Sequence, residues 1–148
     1  MRIRRATAAD IAVMMELERG AATAAHWSAA QYETVFSHDA PSRVVLMIEE
    51  VTDVQGFVIG RAQSQDWEVE NIVVADPSRR RGLGAHLVGE LLDLARSSGA
   101  HRVFLEVRES NLAARRLYEK LAFVESGRRK RYYQDPLEDA IVYQLSLV

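Results

Sequence analysis

The 148-residue chain contains no cysteine, which excludes disulfides, thiolate metal sites and a cysteine nucleophile. No hydrophobic run approaches the length needed to cross a membrane. The first residues alternate charge with apolar side chains too early for a secretory leader. The expectation is a soluble, cytoplasmic protein with no membrane role. A net charge of −2 lacks the basic excess of a general nucleic-acid binder, despite local clusters at Arg79–Arg81 and Arg128–Arg131. Repeats, low-complexity tracts and an interdomain linker are also missing. A chain of this length suits one domain, spanning 1–148, with a real core.

What is present starts with the run Arg79, Arg80, Arg81, Gly82, Leu83, Gly84, Ala85. It follows an apolar strand ending at Asp76-Pro77. It opens an amphipathic helix in which Leu87, Val88, Leu91, Leu92 and Ala95 recur at helical spacing. A glycine-rich turn at a helix start presents unpaired N–H groups and the positive end of the helix dipole, and so forms an anion site. The common nucleotide motifs do not fit it. A Walker loop needs four residues between its glycines and a Lys-Ser/Thr afterwards. A dinucleotide fingerprint needs a small residue where Leu87 stands.

The rest of the chain reads as alternating elements. A short strand begins at Ile3, and Thr7 caps a helix from Ala8 to Arg19, with Asp10 complementing its first turn. Ser28 and Gln31 have capping-box spacing at a second helix start, and Trp27 and Tyr32 form its hydrophobic staple. Strands follow at Val44–Glu49, Gly56–Ala62 and Trp67–Val74. The helix after the glycine turn stops near Ser98-Gly99. Arg102–Val107 is a strand, Asn111–Leu121 a helix, and Phe123–Tyr133 and Ala140–Leu147 are paired final strands. This order predicts an α/β fold with helices packed on a central sheet.

A second constellation lies in Leu105-Glu106-Val107-Arg108, Ser110-Asn111, Ala114, Leu117-Tyr118 and Phe123. Glu106 points away from the face of Val103 and Leu105. Asn111 is a helix-cap residue, and Tyr118 lies nearly two turns later on the same side. Taken singly, each has a structural explanation: a cap, a core tyrosine, a solvated strand carboxylate. Taken with Arg79-x-x-Gly82-x-Gly84 they resemble the acetyl-CoA site of the GNAT (Gcn5-related) N-acetyltransferases. Trp27-Ser28, Asn71-Ile72-x-Val74, Arg129-x-x-Tyr132-Tyr133 and Glu138-Asp139-Ala140-Ile141 extend the resemblance to the RimI-type group, which acetylates ribosomal-protein N-termini. One departure is Ala122, where that pattern carries glycine at the end of the tyrosine-bearing helix.

The resemblance implies a central mixed, mostly antiparallel twisted sheet flanked by helices, splayed into an acetyl-CoA cleft. It implies that the backbone of Ile72, Val73 and Val74 pairs with the pantetheine arm beside a bulge. Arg79 to Ala85 would cradle the pyrophosphate, and Asn111 would hold CoA. Glu106 becomes the candidate base and Tyr118 the candidate acid, with no metal required. Trp27, Tyr32, Tyr132 and Tyr133 are candidates to line an acceptor groove, and Glu68 or Glu70 to attract a cationic amine. The implied acceptor is a protein N-terminus, that of ribosomal protein bS18. A broader N-terminal or lysine acetyltransferase, a small-amine acetyltransferase and a non-catalytic acyl-CoA sensor remain open. The Arg128–Arg131 run is expected to be a solvated strand face, with a CoA phosphate or ribosomal RNA as its other possible contact.

Overall fold

A computed structural model describes residues 1–21, 27–37, 42–51, 53–75 and 82–148. Its strands are β1 (Arg2–Arg5), β2 (Arg43–Glu50), β3 (Asp53–Gln63), β4 (Asp66–Val74), β5 (Arg102–Arg108), β6 (Val124–Tyr133) and β7 (Glu138–Ser146). Its helices are α1 (Ile11–Arg19), α2 (Ala29–Val35), α3 (Leu83–Ser97) and α4 (Leu112–Lys120). The strands form one sheet in the order β1-β2-β3-β4-β5-β7-β6. All pairings are antiparallel except β4 with β5. The expected elements are all present, with ends shifted by a few residues.

Helix starts follow the predicted chemistry. The Ser28 N–H donates to Gln31 Oε1 at 2.7 Å and the Gln31 N–H to Ser28 Oγ at 3.2 Å, closing the capping box. The Trp27 and Tyr32 rings sit 5.5 Å apart as the staple. The first predicted helix is divided: Ala8–Asp10 form a tight 3-10 turn and α1 begins at Ile11. Asp10 accepts from the Thr7 N–H at 2.8 Å and binds Arg4 through both carboxylate oxygens, so it ties that turn to β1.

The core lies on both faces of the sheet. On one, Val44, Leu46, Ile48, Val58, Trp67, Val103 and Leu105 pack against Leu87, Val88, Leu91, Leu92 and Ala95 of α3 and Tyr118 of α4. On the other, Val45, Met47, Phe57, Ile59 and Val73 meet Met14 of α1 and Tyr32 and Val35 of α2. β2 is therefore apolar without alternation, because neither of its faces meets water. Burying a side chain such as Leu87 contributes roughly 1.5–3 kcal/mol. The α1–α2 layer stops short of β5, β7 and β6. At that end β6 is exposed along almost its whole length, and its arginines guard the sheet edge.

Candidate active site

β4 and β5 pair only from Asp66↔Arg102 to Val69↔Leu105. Beyond that point β4 stays with β3 as far as Val74↔Gly56, while β5 stays with β7 as far as Arg108↔Ala140. The two strands diverge into a cleft. The cause lies within β4: Ile59 pairs with Asn71 and Gly60 with Val69, so Glu70 is an extra, bulged residue. Trp67 and Val69 point toward α3, whereas Asn71 and Val73 point toward the α1–α2 layer. The bulge thus reverses which face odd-numbered residues occupy. Arg43 locks Glu70 in place, with Nε 2.7 Å from Oε1 and a second bond of 3.2 Å to Oε2.

The start of α3 opens at this cleft. Gly82, the residue before α3, has φ 78°, a left-handed conformation that glycine adopts without strain. A β-carbon at Gly84 would lie 3.3 Å from Leu117 and 3.8 Å from both Ile72 and Val74. Three elements therefore converge on one small residue. The N–H groups of Leu83, Gly84 and Ala85 belong to the first helical turn, which has no intrahelical acceptors for them. Arg79, Arg80 and Arg81 lie outside the described residues.

Glu106 occupies the α1–α2 side of β5, opposite the buried Val103, Leu105 and Val107. Its Oε1 lies 2.6 Å from Arg129 Nε in an ion pair. Glu68 lies on the same face of β4; burial, then the neighbouring Glu70 and Glu106 carboxylates, push its pKa above the ordinary value. Three carboxylates thus gather at the cleft, with Arg43, Arg61 and Arg129 around them. The β6–β7 ladder jumps from Arg129↔Ala140 to Tyr133↔Glu138, so a second bulge brings Tyr132 and Tyr133 toward Glu106. Tyr133 is pushed up to about 12 by burial and by Glu106. The Arg108 guanidinium sits 4.5 Å from its ring centre.

Tyr118 is buried between Phe123 and Tyr143, with ring centres at 5.7 and 6.3 Å. Burial, with Tyr133 as a lesser cause, holds its phenol above the ordinary value. Among the described residues none hydrogen-bonds its hydroxyl, so its proton is not committed to the protein. Asn111 caps α4, its Oδ1 accepting from the Ala114 N–H at 3.2 Å. At the far end of α4, the Phe123 N–H reaches the Tyr118 carbonyl at 3.0 Å and the Ala122 N–H the Glu119 carbonyl at 3.1 Å. This is a Schellman closure, and Ala122 takes φ 73° to make it. The conformation expected for glycine is kept without glycine.

Residues 11–123 match the Acetyltransferase (GNAT) family. The chain belongs to that family. It is 39% identical over 93 residues to the [Ribosomal protein bS18]-alanine N-acetyltransferase of Escherichia coli K12; the match covers 62% of this chain and 63% of that enzyme's length. The Haemophilus influenzae protein of the same name is 31% identical over 138 residues, 91% of each chain. The crystal structure of the E. coli ribosomal-protein-S18-alanine N-acetyltransferase superposes with a TM-score of 0.87 at 28% identity, covering 99% of this chain and 93% of that one. Salmonella typhimurium yncA, solved with its cofactor acetyl-CoA, gives 0.81 at 25% identity, covering 100% and 94%.

Within this GNAT frame the expected residues fall in different places. Glu106, Tyr118, Tyr133, Ile72, Val73, Val74 and the Gly82–Ala85 turn gather around the cleft. Tyr32 does not: it is fully buried and its hydroxyl donates to Glu18 Oε2 at 2.7 Å, so it offers no surface to an acceptor. Trp27 is half-buried against it. Glu70 is held by Arg43. The Arg128–Arg131 strand is exposed as expected, yet Arg128 pairs with Glu109 and Asp139 and Arg129 with Glu106.

Sequence reasoning does not single out Glu18, and it names Arg129 without placing it beside Glu106. Glu18 is 2% exposed and accepts from the Trp27 N–H, the Tyr32 hydroxyl and Asn71 Nδ2. It ties the end of α1 and the start of α2 to β4 one residue beyond the bulge. Its signal was its spacing, four residues after buried Met14 on the core face of α1. Arg129 is named in the sequence through Arg129-x-x-Tyr132-Tyr133 and the Arg128–Arg131 run, but its pairing with Glu106 carries no signal there.

Proposed function

We propose that this chain is an acetyl-CoA-dependent protein N-α-acetyltransferase acting on the N-terminal amine of a ribosomal protein, bS18 by its relatives' names. The observation that carries the reading is the divergence of β4 and β5 after Val69↔Leu105, with the Gly82–Ala85 helix start at its mouth and Glu106 and Tyr118 beside it. An extended pantetheine arm fits such a gap as an added strand along Ile72–Val74. Gly84 leaves room where a larger side chain would press on Leu117, Ile72 and Val74. The helix N-terminus suits a pyrophosphate. The Asn111 amide nitrogen, without a partner among the described residues, suits a contact to CoA.

Bound acetyl-CoA supplies the acetyl group as a thioester. Glu106 takes one proton from the arriving ammonium, leaving a lone pair to attack. Tyr118 gives its proton to the departing sulfur, and the second proton lost by nitrogen restores it. One proton is released per turnover. A protein α-amine, with pKa of about 7.7–8.0, is easier to deprotonate than lysine near 10.4, which favours the N-terminal acceptor.

The test is acetylation of peptides differing in their first residue, beside an N-terminally blocked lysine peptide and a polyamine. The reading expects the Ala-starting peptide to lead. Faster lysine turnover would make the enzyme a side-chain acetyltransferase, faster polyamine turnover a small-amine enzyme. No CoA release with any amine would leave an acyl-CoA sensor.

A further inference from the structure

Three carboxylates at the cleft are attended by three arginines, but in two different ways. Arg43 is only 12% exposed and grips Glu70 through two bonds, so it is built in. Arg61 stands directly across the β3–β4 ladder from Glu68. Arg129 differs from both. Its side chain is 59% exposed, it stands on the edge strand, and it pairs with a 13%-exposed Glu106 with Nε 2.6 Å from Oε1. In the same position its guanidinium is 5.4 Å from the Tyr132 ring centre, a distance at which a cation is attracted to the ring face, so the arginine has a second partner that does not depend on Glu106.

A partly buried carboxylate beside two others needs a cation nearby. In the absence of substrate Arg129 is that cation. An acceptor that enters as an ammonium group brings the same charge to the same carboxylate. We propose that Arg129 is an internal stand-in for the acceptor's ammonium: it covers Glu106 in the resting protein and gives up that carboxylate, keeping its contact with the Tyr132 ring, when a cationic amine docks. The proposal rests on the reading of Glu106 as the group that receives the amine, and deepens it. It makes Arg129 a specificity-determining residue, because an uncharged or acetylated N-terminus cannot take its place.

The direct test is NMR of the Arg129 Nε–H, assigned by its loss in Arg129→Gln. Titration uses an Ala-starting peptide with CoA present, then its N-acetylated twin, a blocked lysine peptide and a polyamine. The free-amine ligand should shift the signal away from its carboxylate-paired position; the acetylated twin should not. If no amine moves it, or if the acetylated peptide moves it equally, the proposal is overturned, whether or not the protein turns over. The kinetic test is Arg129→Gln. Acceptor KM should fall about two- to fivefold, the range an exposed ion pair is worth, with acetyl-CoA affinity unchanged and Arg129→Lys near wild type. A raised KM or a lowered kcat would show that Arg129 positions Glu106 instead, and would overturn the stand-in role. Failure of the acetyltransferase reading shows separately, as absence of CoA release from the wild-type protein with every amine.

Discussion

Gly84 and Leu117 meet at the cleft so closely that a β-carbon on the glycine would stand 3.3 Å from Leu117 Cδ2. The contact couples the first turn of α3 to α4, and the same small residue faces Ile72 and Val74. Gly84→Trp should therefore fill the space assigned to the cofactor and lower acetyl-CoA affinity by about 100-fold or more, roughly 2.7 kcal/mol. Calorimetry reads the affinity, and circular dichroism should show a folded protein. Undiminished binding in a folded variant would remove the loop from the cofactor site.

Glu106→Gln and Tyr118→Phe should bind acetyl-CoA nearly as the parent does and lose turnover by roughly 10²- to 10⁴-fold, the usual range for a proton-transfer group. Tyr118→Phe should lose more, since the departing sulfur then has no proton donor. Burial holds the Tyr118 phenol above its ordinary value, so it stays protonated up to at least about pH 10. The kcat–pH profile of the parent should show no loss from Tyr118 below that pH. Wild-type kcat in both variants would end these roles.

The order of elements was legible because each start and stop carries its own chemistry. Ser28 with Gln31, the apolar stripe of α3 and Asn111 before α4 act locally, and all behave as read. Glu106, Tyr118 and Gly84 were legible as residues through their motif. The resemblance implies a bulge beside Ile72–Val74; what stayed hidden is which residue bulges and what that does to the faces of the strand. Along β4 the buried and half-buried residues alternate without a break, yet Glu70 switches the face on which they lie. Neither that reversal nor the second bulge, which brings Tyr132 and Tyr133 to Glu106, has a local signature. The burial of Tyr32 follows from Glu18, a partner 14 residues away.

Ala122 offers a test of stability apart from chemistry. Its φ of 73° places an L-residue where the β-carbon crowds the backbone, at a cost of about 1–2 kcal/mol. Glycine removes that strain but loses more freedom on folding. Ala122→Gly should stabilise the protein by about 1 kcal/mol and raise Tm by roughly 2–4 °C, with acetyl-CoA affinity unchanged. A lower Tm would mean that Ala122 makes packing contacts that outweigh the strain.

Glu68 gives a prediction with a definite pH sign. Burial and the Glu70 and Glu106 carboxylates raise its pKa above the ordinary carboxylate value. Between the unfolded and folded pKa values the native state binds more protons than the unfolded one, so stability from this group falls as pH rises. Its penalty is absent below the unfolded value, grows through that window and is complete above the folded value. Glu68→Gln, which keeps the shape without the charge, should therefore raise Tm at pH 7 and have progressively less effect as the pH is lowered toward 4. Differential scanning calorimetry across that range reads both. A Tm gain that is constant with pH would assign the change to packing, and a Tm loss at pH 7 would show that the Glu68 charge is needed by Arg61 or Arg129 more than it is opposed by its two acidic neighbours.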